Sequence, residues 1–199
     1  LRWFGSIHSG HWRRAAMILA SQSPRRRDLL KLITADFRVI PSDVDESFRD
    51  DESPADYVAR LAEAKARAVA TKAFADEVII GSDTTVASAG VILNKPVDET
   101  DFLAMMERLS GTTHQVYSGV CVLRETQCAV KVVRTDVTFR QLSMSERLHY
   151  WQTGEPLDKA GGYGIQGLAA RFVESIHGSY TNVVGLPLVE LEALLNDAS

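Results

Sequence analysis

Residues 116–123 and 129–140 constrain the fold most, because both are strand-like and only a short link separates them. Over residues 133–139, every second residue is Val, Thr or Phe, and the residues between them are charged or polar. This period of two predicts a strand with one covered face and one face in water. The link at residues 124–127 is short enough for an antiparallel hairpin. Helix-like and strand-like stretches surround the pair, so we expect an α/β fold with a mixed, extended β-sheet flanked by helices.

The chain of 199 residues suits a single domain over residues 17–199. Residues 1–16 differ from the rest, because they contain arginines and no acidic residue. They lack the apolar run of a secretory signal and are short for a transit peptide. Met17 then opens a strand-like run at once. We therefore expect residues 1–16 to be a leader, either disordered or the product of an overlong start.

Charge and composition exclude several classes of protein. The net charge of −4 argues against a nucleic-acid partner held by bulk charge. No stretch approaches the roughly 18 apolar residues of a membrane helix, so we expect no membrane partner. Two cysteines are too few for a disulfide framework or a cysteine-based zinc site. Reduced thiols and a cytoplasmic location are the expectation.

The arginines at residues 25–27 follow a Ser-Pro pair that predicts a helix start, with Ser23 as its N-cap. Cations have the wrong sign for the first turn of a helix, where the helix dipole is positive. An anion resting there, phosphate above all, would explain them. The alternative is a solvated helix whose arginines pair with the acidic loop 43–51.

Asp83 follows the apolar run at residues 78–82, which we interpret as a buried strand that ends at this acid. Open α/β sheets place their ligands at the carboxyl ends of strands. A carboxylate there can accept a proton from water or hold a divalent ion. The alternative is that Asp83 caps a following turn through backbone N–H groups.

Two lysines and a glycine-rich segment are further candidates. Lys65 lies on the apolar stripe of a long helix predicted from Ser53 onward, where it needs either room to reach solvent or a counter-charge. Lys95 precedes a proline and a helix that Asp98 can cap, a placement that suits phosphate. Residues 159–167 are rich in glycine, which lets a backbone approach a ligand closely. Within them, Gln166 offers donors and an acceptor to the edge of a base; the alternative is a flexible connector.

Together these motifs resemble the Maf family of nucleoside triphosphate pyrophosphatases. The resemblance covers residues 17–195, in order and at fitting distances. The segments that carry it are Leu19-Ala-Ser-Gln-Ser-Pro-Arg-Arg26, Val44-Asp-Glu46, Ala64-Lys65-Ala66, Gly81-Ser-Asp-Thr84, Lys95-Pro96, Leu109-Ser-Gly111, Asp158-Lys-Ala-Gly161, Tyr163-Gly-Ile-Gln-Gly167 and Asn182-Val-Val-Gly-Leu-Pro187.

The resemblance implies a two-lobed α/β fold around a central cleft, often as a homodimer. It implies cleavage of a nucleoside triphosphate between the α- and β-phosphates with a divalent metal ion, Mg²⁺ or alternatively Mn²⁺. It matches the catalytic acid to Asp83 and the acidic position on the metal side to Glu46, so that Glu46 and Asp83 would hold the metal. The positions matched to phosphate-contacting groups are Ser21, Arg26, Lys65 and Lys95.

The family divides by substrate at the positions matched here by Arg25, Thr84 and Gln166. These residue types resemble the branch that acts on dTTP and UTP, and modified pyrimidine nucleotides are expected substrates as well. One alternative is a house-cleaning pyrophosphatase for 7-methyl-GTP or another purine triphosphate. The other is a non-catalytic nucleotide-binding regulator of cell division.

Overall fold

The structure, a computed structural model, describes residues 15–74 and 77–197. The leader predicted over residues 1–16 lies outside this part of the chain, except for its last two residues. The strands are β1 (Met17–Leu19), β2 (Phe37–Val39), β3 (Val78–Ser88), β4 (Val91–Leu93), β5 (Thr113–Arg124), β6 (Gln127–Phe139) and β7 (Val173–His177). The helices are α1 (Pro24–Leu30), α2 (Pro54–Val69), α3 (Glu99–Leu109), α4 (Met144–Gln152), α5 (Tyr180–Val184) and α6 (Leu188–Asp197). Short 3₁₀ turns include Glu155–Asp158, Ala160–Gly162 and Leu168–Phe172.

These strands form one mixed sheet. Its order is β2-β1-β3-β5-β6-β7, with β4 paired to β3 beside this path. β1 runs parallel to both β2 and β3, whereas the other pairings are antiparallel. β5 and β6 form the predicted hairpin, with Arg124 opposite Gln127. The mixed α/β sheet flanked by helices is therefore confirmed.

Capping residues set the helix starts that the sequence predicts. Ser23, Ser53 and Asp98 each accept a hydrogen bond from the backbone N–H three residues further on. Proline follows both serines, where its missing N–H costs no helical hydrogen bond. Leu29, Leu30, Leu32 and Ile33 predict an apolar face for the first helix. This prediction is wrong at Leu32, because α1 already ends at Leu30 and Leu32 is 74% exposed.

The strand predicted over residues 78–82 does not end at Asp83. β3 continues to Ser88, and Asp83 lies opposite Gly119 of β5. The ladder continues because β-branched residues follow the acid and the antiparallel partner extends alongside them. Asp83 therefore does not cap a turn. The strand that ends here is β1, whose last residue, Leu19, lies opposite Ile80. Asp83 thus lies in mid-strand, just beyond the carboxyl end of the neighbouring parallel strand.

Helix α2 crosses the sheet at two glycines. A Cβ atom at Gly81 would overlap the backbone oxygen of Ala62, and one at Gly119 would overlap that of Val58. Glycine on both strands therefore lets the helix backbone approach the sheet closely. This approach brings Lys65, on the buried side of α2, within reach of Asp83.

Buried side chains form two lobes at opposite ends of β3 and β5. In the first lobe, residues such as Leu19, Leu30 and Leu194 pack between the sheet and helices α1 and α6, and α2 covers the other face. In the second lobe, Phe102 and Tyr150 belong to the core formed with α3, α4 and the 3₁₀ turns. Across the described residues, no helix combines the length and apolarity that a membrane span requires.

His114 is buried in the second lobe. Its Nε2 atom lies 2.8 Å from the hydroxyl oxygen of Tyr163, and its ring packs edge-on against Phe139. Burial lowers the pKa of His114 from 6.5 to about 4, against a weaker opposing effect from the charge of Asp136. The imidazole is therefore neutral in the folded protein at neutral pH.

Acid should destabilise the protein through His114. Between pH 8 and pH 5, the unfolded chain takes up a proton at this residue and the folded chain does not, so the free energy of unfolding falls by roughly 2 kcal/mol. Replacing His114 with Phe should remove that part of the pH dependence. Urea unfolding of both proteins at the two pH values measures it, and the exposed His149→Phe serves as the control. The same pH dependence in the wild type and the His114 variant would contradict the assignment.

Candidate active site

A cleft of about 600 Å³ lies between the two lobes. It is lined by every candidate site residue that the sequence analysis singles out. These residues are Ser21, Arg25, Arg26, Glu46, Lys65, Asp83, Thr84, Lys95 and Gln166. Residues far apart in the chain are thus brought to one hollow beside β3.

Among the residues that the structure describes, Arg26 donates only to uncharged oxygens. Its Nε atom donates to the backbone oxygen of Gly185 at 2.9 Å, its Nη1 to Ser21 Oγ at 3.2 Å and its Nη2 to Thr84 Oγ1 at 3.1 Å. Within the part of the chain that the structure describes, no carboxylate lies at ion-pair distance from it. Burial lowers the pKa of the guanidinium, and the charge of Asp83 opposes that shift. A positioned, partly desolvated cation with neutral partners is suited to an anion in the cleft.

Arg25 forms an ion pair with Asp158, and both residues line the cleft. Its Nη1 atom lies 3.3 Å from Oδ2 of Asp158, and Lys159 Nζ lies 2.6 Å from Oδ1 of the same carboxylate. Burial acts to raise the pKa of Asp158, but these cations outweigh it and the pKa is lowered. The alternative that the arginines pair with the acidic loop 43–51 is therefore wrong for Arg25 and Arg26.

Lys65 links two acids of the cleft. Its ammonium lies 2.6 Å from Asp83 Oδ1 and 2.7 Å from Glu46 Oε1. The side chains of Lys65 and Asp83 are each only 9% exposed, whereas that of Glu46 is 47% exposed. Lys65 thus has the counter-charge that a lysine on a buried helical stripe requires.

Glu46 is held from two sides. Tyr57 donates its hydroxyl to the backbone oxygen of Glu46 at 2.9 Å, and the ring of Phe48 stacks on that of Tyr57. Burial acts to raise the pKa of Glu46, but its hydrogen bond to Lys65 and the charges of Lys65 and Lys95 lower it. Glu46 is therefore an ionised carboxylate at neutral pH.

The carboxylates of Glu46 and Asp83 are suited to a magnesium ion whose other coordination positions are filled by a bound ligand and water. Both contact the same ammonium, so their oxygens lie around one point. Among the described residues, no group of three or more His, Cys, Asp or Glu side chains could hold a metal ion. Mg²⁺ commonly binds one or two carboxylates and completes its shell with water and phosphate oxygens. The chemistry of this pair meets that requirement.

The glycine-rich segment at residues 159–167 is packed and is not a flexible connector. Gly161 has φ +68° and is buried, and its N–H donates to the backbone oxygen of Asn94 at 3.0 Å. This bond connects the segment to the loop that carries Lys95. Lys95 and Gln166 are exposed side chains on the cleft wall.

Sequence reasoning assigned no role to several groups that hold the site together. Gly185 accepts from Arg26, Asp158 pairs with Arg25, and Tyr57 holds the backbone at Glu46. Ser118 lies behind Thr84, with their hydroxyl oxygens 2.8 Å apart. The sequence signal that could have identified Ser118 is a polar residue inside the apolar run of β5. Gly185 and Asp158 lie in segments that carry the family resemblance.

Comparisons with known proteins agree with one another. A family model described as "Maf-like protein" matches residues 16–198. The chain is 48% identical to a dTTP/UTP pyrophosphatase of Hahella chejuensis, over 96% of each chain. It is 51% identical to a protein of the same name from Saccharophagus degradans, over 92% of this chain and 88% of the relative. A third relative of that name, from Vibrio cholerae, is 49% identical over 90% of this chain and 96% of its own.

A solved structure supports the fold independently. The Staphylococcus aureus Ham1 protein matches 92% of this chain and all of its own, with a TM-score of 0.54. Its sequence identity is 13%, so this likeness concerns the arrangement of strands and helices alone.

Proposed function

We propose that this chain, which belongs to the Maf-like protein family, is a nucleoside triphosphate pyrophosphatase that hydrolyses dTTP and UTP. The products would be the nucleoside monophosphate and pyrophosphate. Relatives named dTTP/UTP pyrophosphatase share about half of its residues over nearly the whole chain. Membership of the family confirms the resemblance inferred from the motifs.

The observation that carries this proposal is the convergence of cations on one cleft. Arg26 lies there with neutral partners, and Lys65 and Lys95 line the same hollow. A triphosphate carries most of its charge on the β- and γ-phosphates, and cations from different elements would neutralise it. We assign phosphate binding to these three residues and to Ser21.

Asp83 is the group that we assign to the chemical step. Water would form a bond to the α-phosphorus, and the bond from that phosphorus to the oxygen bridging to the β-phosphate would break. Pyrophosphate then leaves, and the proton lost by the water passes to Asp83. Oδ1 of Asp83 faces the position for which Lys65 and the metal compete, so we assign Oδ2 to the water. Positioning and electrostatic stabilisation supply most of the rate in phosphoryl transfer, which suits a cleft with several fixed cations.

Glu46 and Asp83 are the residues that we assign to a divalent metal, Mg²⁺ first and Mn²⁺ second. When bound, the ion would neutralise charge on the phosphate oxygens and help to orient the triphosphate. The homodimer implied by the resemblance, the single domain over residues 17–199 and the cytoplasmic location stay predictions.

We assign recognition of the base to Arg25 and Gln166. A uracil or thymine edge presents an acceptor, a donor and an acceptor, and a guanidinium and an amide can match this pattern. Arg25 is oriented by Asp158, and Gln166 lines the same cleft. This arrangement supports a pyrimidine substrate.

Release of pyrophosphate from a panel of triphosphates tests the proposal. With Mg²⁺ present, we expect turnover of dTTP and UTP to exceed that of ATP, GTP, inosine triphosphate and 7-methyl-GTP by about ten-fold or more, as expected for matched hydrogen-bonding groups. Chelation of the metal should abolish turnover. Preference for a purine triphosphate would favour the purine-directed alternative, and binding without turnover of any nucleotide would favour the non-catalytic one.

A further inference from the structure

A line of hydrogen bonds leads from Arg26 into the sheet, away from the cleft. Arg26 Nη2 donates to Thr84 Oγ1 at 3.1 Å, and Thr84 Oγ1 lies 2.8 Å from Ser118 Oγ. Ser118 Oγ in turn donates to the backbone oxygen of Asn182 at 3.0 Å. Thr84 and Ser118 face each other in the β3–β5 ladder, and Ser118 is completely buried.

The donors and acceptors fix the direction of this line. A guanidinium only donates, so Thr84 Oγ1 accepts from Arg26. A carbonyl oxygen only accepts, so Ser118 uses its single hydrogen on Asn182 and accepts from Thr84. The backbone oxygen of Gly185 is a more distant acceptor for Thr84, at 3.4 Å. The hydrogen of the Thr84 hydroxyl therefore points into the sheet and is not offered to a ligand in the cleft.

We propose that Ser118 is a positioning residue for the phosphate site, which acts through Thr84 to hold Arg26. The inference rests on the proposed function, because a triphosphate is taken as the anion that Arg26 meets. Thr84 then influences substrate binding through Arg26 and not by reading the base. This differs from the simplest expectation of the family resemblance, in which residue 84 contacts the part of the substrate that varies.

Loss of the Ser118 hydroxyl should weaken phosphate binding whether or not a base is present. In Ser118→Ala, the hydrogen of Thr84 turns towards Gly185, whose backbone oxygen already accepts from Arg26 Nε. We expect the Kd for inorganic triphosphate and the Kd for dTTP both to rise about five-fold, as for one neutral hydrogen bond. KM for dTTP should rise by a similar factor, with kcat little changed. Calorimetry in metal-free buffer gives both Kd values.

Inorganic triphosphate has no base, so it separates the two roles. A loss of affinity for dTTP alone would overturn the inference, because Ser118 and Thr84 would then serve the base. Unchanged affinity for both probes would overturn it as well. If Ser118→Ala does not fold, Thr84→Val carries the same expectation of an equal loss for both probes.

Two further variants exclude a purely structural effect. Thr85→Val removes a buried hydroxyl on the next residue of β3, which has no hydrogen-bond partner among the described residues, and should leave both Kd values unchanged. The double variant with Ser118→Ala and Thr84→Val should bind both probes as tightly as Thr84→Val alone, because Ser118 acts through Thr84. An additive loss would contradict that route.

The test also separates this inference from the proposed function. If the wild-type protein binds inorganic triphosphate but hydrolyses no nucleoside triphosphate, the proposed function is wrong. In that case dTTP is not a suitable probe either. An active wild type whose Kd values match those of Ser118→Ala would overturn the positioning role alone.

Discussion

Replacing Asp83 with Asn is expected to lower kcat for dTTP by about a thousand-fold, the range for loss of a general base, while the chain still folds. Asparagine has the shape of aspartate, and its amide oxygen can still accept the hydrogen bond that Lys65 donates to Oδ1 at 2.6 Å. The amide cannot accept a proton from water at neutral pH. Steady-state pyrophosphate release measures kcat, and thermal unfolding measures the fold.

The matched control is Asp50→Asn, which makes the same change at an exposed turn. It should leave kcat unchanged. Asp83→Glu keeps the carboxylate but moves it by one methylene, so its kcat should lie between those of the wild type and Asp83→Asn. If Asp83→Asn turns over dTTP at near the wild-type rate, Asp83 does not take the proton and the base lies elsewhere.

Local signals predicted the helix starts well, since each depends on residues close together in the chain. Ser23 and Ser53 with their following prolines, and Asp98, give the caps that the structure contains. The alternation within β6 likewise predicted its covered face, where Thr135 and Val137 are buried. Capping and periodicity are properties of single segments, so one sequence is enough to find them.

Pairing between distant segments could not be predicted in the same way. The end of the strand before Asp83 was predicted from its apolar run alone, whereas its true length depends on how far β5 continues beside it. Two contacts of the cleft, between Arg26 and Gly185 and between Arg25 and Asp158, each join segments more than a hundred residues apart. The residues of the cleft were identified by type and motif, but their mutual contacts required the fold.

Lys65 illustrates both what the sequence predicts and what only the fold shows. Its position on a buried helical stripe predicts that it needs a counter-charge or a route to solvent, and it has two carboxylate partners. The sequence does not say that these partners are the same acids that we assign to the metal. Because the ammonium already contacts Glu46 and Asp83, we expect Lys65 and a divalent cation to compete for these two carboxylates.

Replacing Lys65 with Met should lower kcat/KM for dTTP by about a hundred-fold, because a charge-assisted hydrogen bond to phosphate is lost. Asp83 and Glu46 would also lose their shared cation, and a nearly buried carboxylate without a partner is destabilising. We expect a loss of about 2 kcal/mol in the free energy of unfolding, less than for a fully buried pair, because Glu46 is half exposed. Urea unfolding and steady-state kinetics measure the two effects.

Divalent metal should stabilise the Lys65→Met protein more than the wild type, since no ammonium has to leave the two carboxylates. Adding Mg²⁺ or Mn²⁺ without nucleotide should therefore raise the Tm of the variant by several degrees and that of the wild type by less. The Tm rises because the metal binds to the folded state and not to the unfolded chain. Lys72→Met changes an exposed lysine just beyond α2 and should behave as the wild type in every assay. If metal raises the Tm of the wild type and of Lys65→Met equally, Lys65 does not occupy the position where the metal binds. This conclusion holds whether or not Lys65→Met loses activity.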